Sequence, residues 1–441
     1  MTSENLFFNG INGATGEYLV PPASLQQLAE LARWAVNERE VVDGVDPGRL
    51  DQTGWGVIYP RGLDPAIRSA LAPLLEHRRT HGPVRELEYL PRDSRLSFLN
   101  RYGAGPGLAD PRALPYYLLL VGDPTLIPFS FQFQLDLQHA VGRLHFDTPE
   151  EYARYAGSVV AAETSRSPRP RRAVLFGVKN PGDPATQGSA EDFIAPLAER
   201  LAGQPGWSVE SLVEKEATKE RLGRLLGGEE TPALLLTASH GMGFPLEDPR
   251  QLPHQGALLC QDWPGREAWQ GPIPTDHYFS ADDVGDDARL HGLVTFHFAC
   301  YGAGTPRMDL YAQGYPEQIA PRDFVARLPQ RLLSHPAGGA LAVVGHVEKA
   351  YGYSFRWRPA GPQVQCFESF FRRLMTGQPV GRAMESFGQR YAELAAEVIE
   401  LRRQRPVDEE SLANLWIAMN DARGYVVLGD PAVRVVDVAL D

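Results

Sequence analysis

Two short stretches put reactive side chains in matching settings. The apolar run LVTFHFA ends at Cys300, with Gly302 and Gly304 close behind, and sixty positions earlier the run PALLLTA ends in Ser239, His240 and Gly241. A thiol is only a few per cent thiolate at neutral pH, so attack on a carbonyl needs a base beside it. An imidazole can take the thiol proton and later hand it to a leaving amine. The glycines suit the same chemistry. Without a Cβ, Gly241 and Gly302 let a substrate backbone come close, and the backbone N–H groups of Gly241 and Cys300 could form an oxyanion hole. Taken singly, a buried cysteine is ordinarily inert packing. Finding both residues at like positions is what points to a nucleophile and its acid/base. His297 lies three residues before Cys300, and strand alternation sends the two to opposite faces, so it reads as a packed or hydrogen-bonded histidine rather than a metal partner.

For His240 and Cys300 to meet, their strands must be parallel neighbours, and the rest of the sequence supplies such a sheet. RAVLFGV, WSVESLV, PALLLTA, LVTFHFA, GALAVVGHV and GYVVLGDP read as apolar strands. Helical segments fall between them near AEDFIAPLAERLAG, KERLGRLLG, DFVARLPQRLLS and from about residue 363 to 403. Six such strands imply a mostly parallel sheet covered on both faces, with chemistry at the carboxyl ends of the strands. Upstream, SLQQLAELARWAVNE reads as a helix capped by Ser24, LPYYLLLVGDPTLIPF holds a buried strand, and PEEYARYAGSVVAAE after Thr148 reads as a helix. The polar, proline-containing stretch ETSRSPRPRR reads as a linker. The chain thus divides into a smaller N-terminal α/β subdomain, residues 1–166, and a larger α/β unit, residues 167–441.

Composition narrows the function classes. With 441 residues the chain exceeds one simple core. Its 43 Lys and Arg against 55 Asp and Glu give a formal charge of -12, which disfavours nucleic acid and anionic membranes and favours a basic substrate. Three cysteines without CxxC spacing suggest neither a zinc site nor a disulfide framework, and no cofactor or metal is expected. The N-terminus lacks a signal-peptide pattern and no 18-residue apolar run occurs, so a cytoplasmic protein that neither spans nor binds a membrane is expected.

A strand ending in His-Gly and a later strand ending in Ala-Cys resembles the caspase-like cysteine peptidases, clan CD. FACYG keeps Ala299, Cys300 and Gly302 of the caspase Q-A-C-x-G pattern and replaces its glutamine by Phe298. From about Leu114 onward the chain is similar to gingipain-type peptidases (C25) and to CHAT-like bacterial caspase homologues, a group that includes CRISPR-associated prokaryotic caspases. YYLLLVGDPTLIP, the VGR of Val141 to Arg143, LLLTASHGMG, VTFHFACYGAG and GYVVLGDPAVRV carry that likeness. The resemblance implies a caspase-like three-layer sandwich with a mostly parallel six-stranded sheet, Cys300 as nucleophile, His240 as general acid/base, and Gly241 with Cys300 as oxyanion donors. It further implies an acidic residue choosing an arginine or lysine at P1, for which Asp147 is the choice over Glu150 and Glu151. Where gingipain-type enzymes carry a glutamate before the VGR motif this chain has Gln138 and His139, so the third catalytic member is left open. In clan CD the segment after the strand following the nucleophile lies along the substrate. Here that segment is GHVEKAYGYSFRW, so Glu348, Tyr351 and Tyr353 become substrate-binding candidates. The implied activity is an intracellular cysteine endopeptidase acting on proteins or peptides through a thioester. Its role would be regulatory, in stress or antiviral signalling, with activation by cleavage at Arg307, Arg322, Arg327 or Arg331, made by itself or by an upstream protease. The rival expectation is an idle caspase-like scaffold that binds peptides or partner proteins.

Overall fold

The structure is a computed structural model that describes residues 41–435, apart from 43, 166–168, 310, 312–316, 358–359 and 405, together with 5–6 and 23–24. The helix expected after Ser24 lies outside the described residues. Ten strands form one sheet: β1 (Trp55–Pro60), β2 (Val84–Tyr89), β3 (Tyr117–Val121), β4 (Ala140–Leu144), β5 (Arg172–Gly177), β6 (Ser208–Val213), β7 (Leu234–Ala238), β8 (Val294–Phe298), β9 (Ala342–His346) and β10 (Tyr425–Gly429), in the order β2-β1-β3-β4-β10-β9-β8-β7-β5-β6. All six strands expected beyond residue 170 are present. β1, β2, β4 and the helix between β1 and β2, α1 (Pro65–Arg79), were not foreseen.

Every neighbouring pair is parallel except β9 with β10. That single antiparallel contact reverses direction halfway across the sheet. The carboxyl ends of β1 to β4 therefore emerge at the edge opposite to those of β5 to β9. All residues of β3, β7, β8, β9 and β10 are buried, as strands covered on both faces require. The resulting architecture is a three-layer, mostly parallel α/β sandwich.

The sheet runs without a break from the N-terminal strands into the rest because β10, the last of the described strands, is inserted between β4 and β9. Gly142 of the VGR motif permits the close approach: a Cβ there would stand 2.1 Å from the Gly429 carbonyl oxygen. Its neighbour Arg143 is wholly buried and donates to Gln132 Oε1, Gly122 O and Ile127 O, so it organises the loop after β3. The linker expected at Glu163–Arg172 is anchored at both ends. Glu163 belongs to α2 (Pro149–Thr164) and takes both Arg78 amino groups, while Arg169 donates to His291 O and Thr231 O.

Asp430, just after β10, ties the N-terminal half to this closing strand. Its wholly buried carboxylate accepts from Arg78 Nε at 2.7 Å and from Trp55 Nε1 at 2.9 Å. Removing one partner of a buried pair strands the other charge, so Asp430→Ala is expected to cost about 3–5 kcal/mol in urea or guanidinium unfolding. Loss below about 1 kcal/mol would show that the pair does not join the two halves.

Candidate active site

The parallel register of β7 and β8 pairs Phe298 with Ala238, and the Ser239 N–H donates to Phe298 O at 3.1 Å. His240 and Cys300 each lie two residues past that last pair, so they leave the sheet level with each other at the same edge. Both line a cavity of about 480 Å3, with Thr186, Ser189, Ala299, Ala350, Tyr351 and Tyr353 among its walls. Its floor is aromatic. Phe298 packs edge-on against Phe193 and Phe355, with ring centroids 5.3 and 5.5 Å away.

His240 is held by a residue that the sequence reading missed. Its Nε2 lies 2.7 Å from Asp183 Oδ2. Asp183 caps the short helix α3 (Pro184–Gly188) in the loop leaving β5, and its carboxylate also accepts the Thr186 hydroxyl at 2.7 Å. Burial alone would raise the Asp183 carboxyl, but the hydrogen bonds from His240 and Thr186 more than offset it and hold the group well below the usual carboxylate range. An ionised carboxylate only accepts, so Nε2 carries the proton and Nδ1 is the nitrogen left for chemistry. Gln138 and His139 are far from this role: Gln138 bonds Arg95 and Gly105 O, and His139 bonds Pro115 O. Asp183, in Gly182-Asp183-Pro184, is also the cap of that helix. The signal available was positional, because β5 pairs directly with β7 and its outgoing loop must lie beside His240.

Cys300 is held as a thiol. Burial and the negative charge of Asp421 push it above its ordinary pKa, with a backbone contact to Ala350 and the charge of Lys349 opposing. Its Sγ points to Ala350 O at 3.7 Å. Tyr301, the next residue, has φ +60, a left-handed conformation unfavourable for a bulky side chain, and its N–H donates to the carbonyl of Glu348, itself at φ +80. These two strained residues turn the chain sharply away behind the sulfur.

Gly241 is required by contact. A Cβ there would stand 1.8 Å from the Cys300 carbonyl oxygen. Around its bridge with Leu258 the ladder is closed by Leu259 N–H to His240 O and Met242 N–H to Ala257 O, which leaves the Gly241 N–H out of that ladder.

Of the four expected substrate contacts, Tyr351 and Tyr353 line the cavity. Asp147 does not. It follows β4, whose carboxyl end emerges at the opposite edge of the sheet, and it pairs there with Arg327 at 2.9 Å. The capping box of α2 is instead made by Thr148 and Glu151. Glu348 is at the correct edge, but its buried side chain faces a separate cavity with Phe129, Tyr311 and His346. Among the described residues that line the Cys300 cavity, the cationic side chain is Arg356, which pairs with Asp192 at 3.1 Å. Asp192 sits in a π-helical turn over Ser189–Ile194, in place of the regular helix expected at AEDFIAPLAERLAG. His297 is wholly buried, and burial pulls it down to about 3. Its ring nitrogens have no hydrogen-bond partner among the described residues, so it is packed and neutral.

No family model matches the sequence, and no curated protein matches it. Among solved structures the chain is similar to one titled a protease, at 12% identity over 88% of this chain and 80% of that one, with a TM-score of 0.48. It is similar to the Arg-specific cysteine proteinase gingipain R at 14% identity, over 88% of this chain and 80% of that one, with a TM-score of 0.48. It is also similar to a chain from the complex of Porphyromonas gingivalis RgpB pro- and mature domains, at 12% identity over 86% and 79%, with a TM-score of 0.45. The chemistry assigned to the site rests on this chain's own residues.

The Asp183 carboxylate, ionised in the fold and held low, contributes stability that is complete above its unfolded pKa of about 4 and is lost as pH falls further. The melting-temperature gap between the wild type and Asp183→Asn should therefore be widest above about pH 5 and shrink below about pH 4. A gap independent of pH would show that the charge does not contribute.

Proposed function

We propose that the protein is a cysteine endopeptidase acting through Cys300, His240 and Asp183. The observation that carries this is the shared cavity, which holds a thiol and an imidazole whose Nε2 is already committed to a carboxylate. His240 Nδ1 takes the Cys300 proton as sulfur adds to a peptide carbonyl. The resulting oxyanion is met by the N–H groups of Gly241 and Cys300. Collapse of the adduct breaks the C–N bond, and the imidazolium gives its proton to the leaving amine. Water, deprotonated by the same imidazole, then hydrolyses the thioester and frees the thiol. Burial and Asp421 push the thiol up rather than down, which favours proton transfer to His240 in step with substrate attack.

The expected basic P1 preference needs an acid within reach of the cavity, and Asp192 meets that need better than Asp147 or Glu348. Asp192 is fixed in a packed helical turn between the buried Ala190 and Phe193, while Arg356 is half-exposed at its side chain. A substrate arginine or lysine would take Arg356's place, exchanging one cation for another. Tyr351 and Tyr353 would flank the peptide backbone. A regulatory role with activation by cleavage belongs to the same proposal. Arg307 and Arg322 are its better cleavage candidates, since both are exposed while Arg327 and Arg331 lie in the helix Arg327–Leu333. One observation favours the idle scaffold instead: the thiol bonds Ala350 rather than His240.

Fluorogenic peptides with Arg, Lys or Asp at P1 decide between the two. Turnover should be abolished in Cys300→Ala and fall about 10²–10⁴-fold in Asp183→Ala. Arg356→Ala should lower KM for basic peptides about tenfold, and Asp192→Asn should raise it by a similar factor. If neither intact nor proteolytically nicked protein turns over any peptide, the scaffold reading stands.

A further inference from the structure

The Cys300 thiol points at Ala350 O, and Ala350 belongs to a loop over residues 347–355 whose regular structure is one 3₁₀ turn at Gly352–Ser354. One carboxylate from far along the chain holds that loop. Asp421, in the last turn of the helix Glu409–Arg423, is wholly buried. Its Oδ1 accepts the Tyr351 N–H at 2.8 Å and its Oδ2 accepts the Ser354 hydroxyl at 2.5 Å. The Ser354 oxygen also meets the Tyr425 hydroxyl at 2.6 Å, and the Asp421 backbone carbonyl meets His346 Nε2 at 3.0 Å. Arg390, from the helix Glu385–Arg403, donates to the carbonyls of Tyr353 and Ser354. A buried carboxylate is costly to hold, and an apolar residue would pack there at less cost, so its retention at a loop that lines the cavity calls for a role.

We propose that Asp421 is a positioning residue for the nucleophile. By pinning Tyr351 and Ser354 it sets the loop whose Ala350 carbonyl receives the thiol and whose Tyr351 and Tyr353 wall the cavity. This rests on the reading of Cys300 as the nucleophile. The groups facing Cys300 are His240 across the cavity, Lys349 and Tyr351 on the loop, Tyr301 beside it, Tyr425 on β10, and Asp421. Those facing Asp421 are His346, Arg390, Tyr311, Tyr351, Tyr425 and Cys300 itself. Asparagine at 421 keeps an acceptor for the Tyr351 N–H and an amide that can bond the Ser354 oxygen, yet removes the charge. Alanine removes both.

The test uses the full chain. The rate of iodoacetamide modification of Cys300 is followed against pH by mass spectrometry, with Cys366 as internal reference, and backbone hydrogen exchange is measured over 347–355. Asp421→Asn should keep the loop's protection and move the Cys300 alkylation midpoint to lower pH by about half a unit or more, with Cys366 unmoved. Asp421→Ala should exchange the amides of 350–355 at least about tenfold faster while β9 keeps its protection. If the alanine variant does not fold, Ser354→Ala, which removes one of the two pins, should show the same local loss. Folded variants whose Cys300 profile and loop exchange both match the wild type would overturn the proposal. Exchange judges the anchor even where Cys300 proves inert, so failure of the peptidase reading and failure of this proposal are separately visible.

Discussion

The site depends on one constraint: two fully buried parallel strands pair so that Phe298 stands opposite Ala238. A slip of one residue in that register would turn every side chain of β8 to the other face. The packing forbids it, because Phe296 and Phe298 must meet the Phe193, Phe355, Phe367 and Phe370 rings on their own side. With register fixed by core packing, His240 and Cys300 come out level, and the proposed pair is built on rigid elements. The loops then finish the site. Asp183 leaves the strand beside β7 to orient the imidazole, and the loop after β9 folds back to receive the sulfur.

Charge is arranged around this frame unevenly. The imidazole faces a carboxylate held low by its hydrogen bonds, while the thiol is raised by burial and by Asp421. Under the proposed mechanism, such an arrangement would have the sulfur lose its proton to the oriented imidazole in step with attack on a substrate carbonyl. Left-handed Tyr301 and Glu348, bonded to each other through their backbones, hold the sharp turn behind the sulfur. Backbone strain of this kind concentrates where geometry matters more than ease of folding.

Much of this was legible in the residues. Apolar runs bounded by glycine gave the six strands beyond residue 170, since strands buried on both faces leave a continuous hydrophobic signal. His240 and Cys300 were readable because their positions relative to strand ends matched. β2 was missed because VRELEY is polar along a sheet edge and carries no such run, whereas β1, WGVIYP, is apolar and wholly buried and was overlooked together with the Asp64-capped α1. Asp147 was misplaced because nothing in sequence marks the reversal of direction at β10, a strand late in the described sequence that is inserted mid-sheet. Asp183, Arg356 and Asp421 were invisible for a related reason. Their partners lie 57, 164 and 70 positions away, joined by folding rather than by any spacing a pattern could show.

The pairing of thiol and imidazole is the claim on which the rest stands, and it can be measured without knowing any substrate. Iodoacetamide modification of Cys300 should outpace that of Cys260 and Cys366 in the wild type and slow at least about tenfold in His240→Ala, with the other two cysteines unchanged. Equal rates at Cys300 in the two proteins would contradict the dyad.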